Sequence, residues 1–270
     1  MTEARSIALD TDKMVGRIEG PVGWMVFNNP ERRNAVSLEM WEGMAAILEA
    51  FEADPAVRII VLRGAGDKAF VSGADISQFE KQRSSPETIA HYDAVAGLAQ
   101  QRLADSAKPT LAMIQGYCIG GGLGIAVTCD LRIAAEGARF GVPAARLGLG
   151  YGTDGVKKLL DLVGPANTRE IFYTARHFSA EEALGMGLVN RVAAPGDLAA
   201  YVADYCARIA ENAPLTLRAL KRTVAELQRA SSATDRALCD RLVADCFASQ
   251  DYIEGRRAFM EKRRPVFRGV

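Results

Sequence analysis

The most informative feature of this chain is the run Tyr117-Cys118-Ile119-Gly120-Gly121-Gly122-Leu123. It lies between an apolar, strand-like run over residues 110–115 and a helix-like run over residues 123–129. Three consecutive glycines at a strand-to-helix turn leave backbone N–H groups uncovered beside a helix N-terminus, because no side chain blocks the approach. Such a turn can bind negative charge on a ligand, or on an oxygen that becomes charged during a reaction. For an isolated glycine run, close packing of a helix on a strand is the simpler explanation.

A second glycine-containing turn precedes it, at Ala69-Phe70-Val71-Ser72-Gly73-Ala74-Asp75-Ile76. This segment predicts a short strand, a tight turn and the start of a helix, with Asp75 as its capping residue. Two such turns can direct two N–H donors at one oxygen, so the pair indicates a site for an anion or an oxyanion. Neither turn has the GxGxxG spacing of a convincing dinucleotide fingerprint.

The composition is that of an ordinary globular protein, with 49% apolar and 24% charged residues among 270. That length suffices for one main domain and an appendage. The formal net charge is zero, which gives no electrostatic case for binding nucleic acid or an anionic membrane. No apolar run is long enough to cross a bilayer, and residues 1–12 lack the pattern of a signal peptide. We therefore expect a cytoplasmic protein.

The cysteines and histidines predict neither disulfides nor a metal site. The five cysteines show no CxxC spacing, which indicates reduced thiols that mostly fill the core. His91 and His177 are the only histidines, and neither belongs to a metal-binding or catalytic-triad pattern.

Strand-like and helix-like patterns alternate along most of the chain, which predicts parallel strands with crossover helices. Helices are predicted to begin after Ser37 and Ser85, because both serines are good N-caps. The basic run over residues 256–264 predicts a solvated helix face or a phosphate-binding patch. The predicted strands cover residues 14–19, 22–27, 57–62, 111–114, 131–134 and 189–192, and the predicted C-terminal helices cover residues 199–212, 215–229 and 234–248.

The two glycine turns and the basic tail together resemble the crotonase superfamily, the enoyl-CoA hydratase/isomerase family. The resemblance extends over nearly the whole chain, and the order of its segments is more specific than any one of them. Those segments are Asn28-Asn29-Pro30 with Arg33-Asn34-Ala35, residues 69–75, residues 116–122 with Cys129-Asp130, Phe140-Gly141-Val142-Pro143, Leu147-Gly148, residues 179–183, Gly187-Leu188-Val189, and residues 259–263.

The resemblance implies an α/β fold, a crotonase-like spiral of β-β-α units, over residues 1–195. It implies a C-terminal helical region over residues 196–270 that helps to form a homotrimer, often paired into a hexamer. The expected ligand is an acyl-CoA thioester, with coenzyme A as part of the substrate and no other cofactor or metal.

The resemblance also assigns roles to individual residues. The backbone N–H groups of Ala74 and Gly121 would hold the thioester oxygen, where an enolate carries its charge. Phe259 and Lys262 match positions that meet the CoA nucleotide, often from a neighbouring subunit, and Arg33 belongs to an N-terminal segment that also touches CoA. The other expected substrate-binding residues are Ser72, Gly73, Asp75, Gly120, Gly124 and Ala144.

The sequence departs from the family's hydratases at the two positions that move protons. Those enzymes place a glutamate after the glycine turn and another after the Phe-Gly-x-Pro segment, where this chain has Gly124 and Ala144. General acid–base catalysis by one positioned group contributes roughly 10²–10⁴-fold. We therefore expect ordinary hydration to be impaired. Gly124 itself either makes room for a bulkier acyl group or permits close helix packing.

Substitutes for the glutamates are available in the segment over residues 150–155. Tyr151 could donate a proton or orient a carboxylate, or it could simply form a pocket wall. Asp154 could act as a base if it is buried, or it could cap a helix over residues 156–163. Residues 147–151 and 169–175 also resemble the methylmalonyl-CoA decarboxylase branch, which uses a tyrosine at the position of Tyr151. That branch has a histidine where this chain has Ala74, so the match is partial.

Three hypotheses follow from the sequence. The first is an acyl-CoA enzyme of the enoyl-CoA hydratase/isomerase type that stabilises a thioester enolate. The second is an acyl-CoA decarboxylase or isomerase that uses Tyr151 or Asp154. The third is an acyl-CoA-binding protein without catalysis.

Overall fold

A computed structural model describes residues 4–75, 85–229 and 233–270 of the chain. The helix predicted to start after Asp75 lies outside these residues. Eleven strands lie in the described part: β1 Arg5–Ile7, β2 Met14–Glu19, β3 Val22–Phe27, β4 Ile59–Gly64, β5 Ala69–Val71, β6 Thr110–Ile114, β7 Tyr117–Ile119, β8 Leu131–Ala135, β9 Arg139–Gly141, β10 Phe178–Ser179 and β11 Arg191–Ala193.

The strands form two sheets. The larger has seven strands in the order β1-β2-β3-β4-β6-β8-β11, and the smaller has four in the order β10-β9-β7-β5. From β3 to β11 every pairing in the large sheet is parallel, while β1 and β2 add an antiparallel hairpin edge. In the small sheet β5, β7 and β9 are parallel, and β10 is antiparallel to β9.

Successive strand pairs divide between the two sheets. The pairs β4–β5, β6–β7 and β8–β9 each contribute their first strand to the large sheet and their second to the small one. A helical segment then leads to the next pair, so the chain advances as a spiral of β-β-α units. The predicted fold class is confirmed.

The core occupies both faces of the large sheet. Along β4, Ile60 and Leu62 pack in the main hydrophobic cluster, while Ile59 and Val61 pack in a second cluster on the opposite face. Side chains alternate between the faces of a strand, so this continuous apolar run is the pattern of a sheet covered on both sides. The second cluster includes Leu198 and Val202 from the first of the C-terminal helices.

Nine α-helices lie in the described ranges: α1 Leu38–Ala53, α2 Pro86–Asp105, α3 Gly121–Thr128, α4 Thr153–Thr174, α5 Ala180–Gly185, α6 Leu198–Ala210, α7 Pro214–Leu227, α8 Arg236–Ala248 and α9 Gln250–Glu261. Helix α4 is interrupted at Gly164, which has φ 74° and precedes Pro165. Helix α9 ends in the basic run, with Lys262 in the left-handed conformation as its C-cap. None of the described helices is both long and apolar enough to span a membrane.

Candidate active site

The two glycine turns lie side by side at one end of the small sheet. A Cβ atom added to Gly121 would lie 3.9 Å from the backbone nitrogen of Ala74 and 4.0 Å from the Cα of Gly73. A Cβ added to Gly73 would lie 3.5 Å from the carbonyl oxygen of Ile119, at the end of β7. The structure therefore brings together the two amides that the sequence pairs.

The N–H groups of Ala74 and Gly121 are available to a ligand. Ala74 forms an isolated parallel bridge with Val36. The hydrogen bonds of this bridge involve the residues on either side of Ala74. The Val36 N–H donates to the Gly73 carbonyl at 2.8 Å, and the Asp75 N–H donates to the Val36 carbonyl at 3.0 Å. In a parallel bridge of this kind the N–H of the central residue points away from the partner strand. Gly121 is the exposed first residue of α3, where no intrahelical acceptor exists. Within residues 4–75, 85–229 and 233–270, neither N–H has an acceptor.

Glycine is required in this turn for steric reasons. A Cβ added to Gly122 would lie 2.1 Å from the carbonyl oxygen of Val71, so the start of α3 is pressed directly against β5. Gly120 has φ 56° and donates its N–H to the carbonyl of Gly141 at 2.8 Å. Close packing and an exposed amide thus occur in the same turn, on neighbouring residues.

Asn34 joins the segment before α1 to the loop between β4 and β5, a role that the sequence did not reveal. It is fully buried, and its amide nitrogen donates to the carbonyls of Ala65 at 3.0 Å and Ala69 at 2.8 Å. Its side-chain oxygen accepts from the Asn29 N–H at 3.0 Å. Its backbone has φ 56°, a left-handed conformation that asparagine tolerates better than most residues. The Asn-Pro…Arg-Asn-Ala pattern was a usable signal, because a buried amide needs several partners.

Arg33, Ser72 and Asp75 surround the Gly73–Ala74 turn. The Arg33 guanidinium lies 5.1 Å from the centre of the Tyr117 ring. The backbone carbonyl of Arg33 accepts a hydrogen bond from the Ser72 N–H at 3.1 Å. The buried Asp75 carboxylate lies 3.6 Å from the guanidinium of Arg32. The predicted capping role of Asp75 concerns a helix outside the described residues and stays a prediction.

The positions without glutamates differ in the space around them. Gly124 is half-buried, and a Cβ added to it would meet none of the described residues within 4 Å. Close packing against the described part of the chain therefore does not account for this glycine. Ala144 is buried, and its carbonyl accepts from the N–H groups of Gly148 and Leu149. The tight turn that follows it leads into the segment with Tyr151.

Tyr151 packs edge-on against Phe172, with ring centres 4.9 Å apart. Its side chain is still 38% exposed. Partial burial raises the pKa of its phenol, so the hydroxyl is a weaker acid than that of an exposed tyrosine, and it is protonated at neutral pH. In this state the group can donate a hydrogen bond or a proton, and it is a poor base.

Asp154 does not cap a helix, contrary to one of the two sequence interpretations. Helix α4 begins at Thr153, Gly152 is its flanking residue, and Asp154 lies within the first turn. The predicted helix over residues 156–163 began too late because Gly152-Thr153-Asp154-Gly155 has a turn-like composition. Asp154 is also exposed, so it lacks the burial that its use as a base required. Its charge acts on Lys158, one turn along the same helix.

Phe259 and Lys262 lie at the C-terminal helices. Phe259 is 83% exposed and lines a cavity of about 690 Å³ formed by residues from α7, α8, α9 and their flanking segments. Every lining residue lies between Ala213 and Phe267. Within a single chain, neither glycine turn therefore lines this cavity.

The cysteines have the character expected of core filler. All five are free thiols, and Cys118, Cys129 and Cys206 are buried. Burial raises the pKa of the Cys129 thiol to about 12, which keeps it protonated and unreactive at neutral pH.

Comparison with known proteins identifies close similarities over almost the full length. The family model described as enoyl-CoA hydratase/isomerase matches residues 17–270. A crotonyl-CoA hydratase from Syntrophomonas wolfei subsp. wolfei is 36% identical over 247 residues, covering 90% of this chain and 93% of that protein. A short-chain-enoyl-CoA hydratase from Clostridium acetobutylicum is 31% identical over 256 residues, covering 95% and 97%. The crystal structure of an enoyl-CoA hydratase/carnithine racemase from Magnetospirillum magneticum matches with a TM-score of 0.90 at 35% identity, covering 97% of each chain.

Proposed function

The chain belongs to the enoyl-CoA hydratase/isomerase family, and we propose that it catalyses a reaction of a CoA thioester through an enolate-like state. The observation that carries the proposal is the approach of the Ala74 nitrogen to Gly121, with both N–H groups available. The reaction class supported by the relatives is hydration or dehydration of an enoyl-CoA.

The two amides would act on the thioester oxygen. When the carbon next to the thioester loses a proton, or when water adds to the far carbon of the double bond, negative charge develops on that oxygen, and it disappears again when the carbon next to the thioester is protonated. Two fixed N–H donors stabilise this charge more than they stabilise the neutral carbonyl, so they lower the barrier. The contact between α3 and β5 at Gly122 supports the arrangement, because it fixes the first turn of α3 against the strand that leads to Gly73.

Proton transfer is the step for which this chain lacks the usual groups. Gly124 and Ala144 have no titratable side chain, so neither can deliver water or a proton. We propose that hydration of a simple enoyl-CoA is slow, and that the physiological reaction draws on another group in the same site.

A second candidate function is an acyl-CoA decarboxylation or isomerisation that uses Tyr151. Loss of carbon dioxide from a malonyl-type thioester leaves the enolate directly, so the amides supply the main requirement. The enolate then needs one proton, and the phenol of Tyr151, which is protonated at neutral pH, is the group we propose to supply it. Asp154 is the weaker alternative because it is exposed.

A panel of substrates tests these proposals. Steady-state rates would be measured with 2-enoyl, 3-enoyl and malonyl-type CoA esters, beside direct binding of each ester. Turnover of at least one ester supports the enzymatic proposal, and the preferred ester identifies the reaction. Rapid hydration of crotonyl-CoA would refute the importance of the missing glutamates. Tight binding with no turnover of any ester would favour a non-catalytic acyl-CoA-binding protein.

We also propose that residues 196–270 contain the surface through which chains assemble into a homotrimer or hexamer. Large apolar side chains are exposed on the C-terminal helices, including Leu220, Phe247 and Phe259 at 60%, 62% and 83%. Exposed apolar area of this kind usually marks an interface. A mass measured by light scattering after gel filtration checks the proposal, and a monomer at micromolar concentration would contradict it.

A further inference from the structure

Lys158 is a charged side chain that the proposed chemistry does not yet use. It lies on α4, is half-buried, and its ammonium group donates to the hydroxyl of Thr128 at 2.9 Å. The Thr128 hydroxyl in turn donates to the carbonyl of Gly124 at 2.8 Å. Lys158 takes part in none of the ion pairs between described residues, whereas its neighbour Lys157 pairs with Asp161 at 2.7 Å.

Lys158 is a half-buried ammonium group whose one hydrogen-bond acceptor in the described part of the chain is a neutral hydroxyl. An ammonium group has three donors, and burial of a charge is costly unless the charge is paired. The burial of Lys158 lowers the pKa of its amine, and the nearby charge of Asp154 partly offsets this. The side chain therefore has donor capacity that a negatively charged ligand could satisfy.

Lys158 meets α3 on the face that carries the proposed amide donor. Gly121, Gly124 and Thr128 are spaced i, i+3 and i+7, so they lie along one side of the helix. Gly121 marks this side as the one toward Ala74. Midway along it, a Cβ on Gly124 would meet nothing within 4 Å among residues 4–75, 85–229 and 233–270, so the described part of the chain leaves space there. The face thus has an amide at one end, a gap in the middle and the Lys158–Thr128 pair at the other end.

The length of this face sets the size of the ligand that would fit. Gly121 and Thr128 are seven residues apart, which is about 10 Å along the helix axis. With a hydrogen bond of about 3 Å at each end, a thioester oxygen at the Gly121 amide and an anionic group at Lys158 would be separated by roughly 4 Å, which an acyl chain of about four or five carbons spans.

We propose that Lys158 and Thr128 form a subsite for a carboxylate on the far end of the acyl chain, so that the preferred substrates are CoA thioesters of short dicarboxylic acids. This inference rests on the proposed function in taking a CoA thioester as ligand. Lys158 would bind the carboxylate directly, and Thr128 would position the ammonium group. Asp154 competes for the same ammonium group from one turn away, so it weakens the subsite.

Binding of saturated CoA esters tests the subsite without requiring turnover. Glutaryl-CoA and valeryl-CoA have acyl chains of five carbons, and only the first ends in a carboxylate. Isothermal titration would give the preference for glutaryl-CoA over valeryl-CoA as a ratio of affinities. We expect Lys158→Met to lower this ratio at least about tenfold, equivalent to about 1.4 kcal/mol. Lys157→Met is the matched control, because it removes a neighbouring exposed lysine from the same helix.

Two further variants sharpen the result. Thr128→Val keeps the shape of the side chain and removes the hydroxyl, so it should lower the ratio less than Lys158→Met does. Asp154→Asn removes the competing carboxylate and should raise the ratio. A ratio that is unchanged in Lys158→Met, or lowered equally in Lys157→Met, overturns the subsite.

The failure of this inference can be told apart from failure of the proposed function. If no ester is turned over but the glutaryl preference still depends on Lys158, the catalytic proposal fails and the subsite stands. If esters are turned over and the ratio is independent of Lys158, the subsite fails alone. If neither ester binds, both fail.

Discussion

The two halves of the candidate site are built in opposite ways. The first half consists of backbone, in the turns at Gly73–Ala74 and Gly120–Gly122. It is so closely packed that a Cβ on Gly122 would meet the Val71 oxygen at 2.1 Å. The second half, as we propose it, consists of the side chains along α3 and the segment before α4. There, Cβ atoms on Gly124, Gly150 or Gly152 would meet none of the described residues within 4 Å.

This difference separates the part of the site suited to a chemical step common to many reactions from the part suited to one reaction and one acyl group. A backbone amide cannot be exchanged by substitution, and close packing fixes its position, so the first half is suited to a step shared by many reactions. Open space and variable side chains in the second half can change without disturbing the fold. We infer that the first half stabilises the enolate and that the second half decides which reaction follows and on which acyl group.

The largest effect is expected from removing one backbone donor. Proline fits the first position of a helix, and it has no N–H, so Gly121→Pro should retain α3 while losing the amide. Loss of one such donor typically lowers kcat about 10²–10³-fold, or about 2.7–4 kcal/mol. The measurement is kcat on the best ester of the panel, with thermal unfolding to verify the fold.

Gly121→Ala is the control for this change. It keeps the N–H, and its Cβ would have its nearest contact at 3.9 Å, an ordinary van der Waals distance. Its kcat should lie well above that of Gly121→Pro. Equal kcat values in the two variants would show that the Gly121 amide plays no part in the chemistry.

A stability measurement compares the two halves directly. Gly122→Ala forces a methyl group against a backbone oxygen at 2.1 Å and should lower the free energy of unfolding by about 1–3 kcal/mol. Gly150→Ala adds the same methyl group at a position where none of the described residues lies within 4 Å, so the free energy of unfolding should stay the same or rise slightly. Urea unfolding of both variants checks this. Similar losses in both would contradict the steric difference between the halves.

The sequence predicted those parts of the fold whose signals are local. The hairpin strands β2 and β3 have the predicted bounds, because apolar runs flank the turn at Gly20-Pro21. Helix α2 begins after Ser85, where the structure has a capping box with Thr88. Strands β1, β7, β9 and β10 were missed because each has only two or three residues. Such short strands exist through pairing with distant segments and have no periodicity of their own.

The site shows the same division. The glycine turns were visible as motifs, and the family resemblance paired Ala74 with Gly121. No motif marked Lys158 and Thr128, since they are 30 residues apart and meet only because α4 packs on α3. The exposure of Asp154 was equally hidden, because it depends on where α4 begins. Tertiary packing decides these features, and residue types alone do not.

Adding a carboxylate to the second half should restore part of the missing chemistry. The space at Gly124 admits a larger side chain, and glutamate also has a better helix propensity than glycine. We expect Gly124→Glu to raise the rate of crotonyl-CoA hydration about 10- to 100-fold, since one acid–base group is regained and the second is still absent. Gly124→Gln has nearly the same shape without the acid–base function. An equal rise in both variants would show that the carboxylate is not the cause.

The smallest effect is expected from the phenol of Tyr151. Tyr151→Phe keeps the ring that packs on Phe172 at 4.9 Å and removes only the hydroxyl. If the hydroxyl donates a proton to the enolate, kcat on a malonyl-type ester should fall about tenfold, with little change in KM. The raised pKa of Tyr151 also predicts how the rate depends on pH. Activity that needs the protonated phenol persists at neutral pH and is lost only as the pH rises through that pKa.

Asp154→Asn should lower kcat less than Tyr151→Phe does, because the Asp154 carboxylate is exposed. The opposite ranking would transfer the proton-transfer role to Asp154, and near-normal rates in both variants would leave Tyr151 as a wall of the pocket.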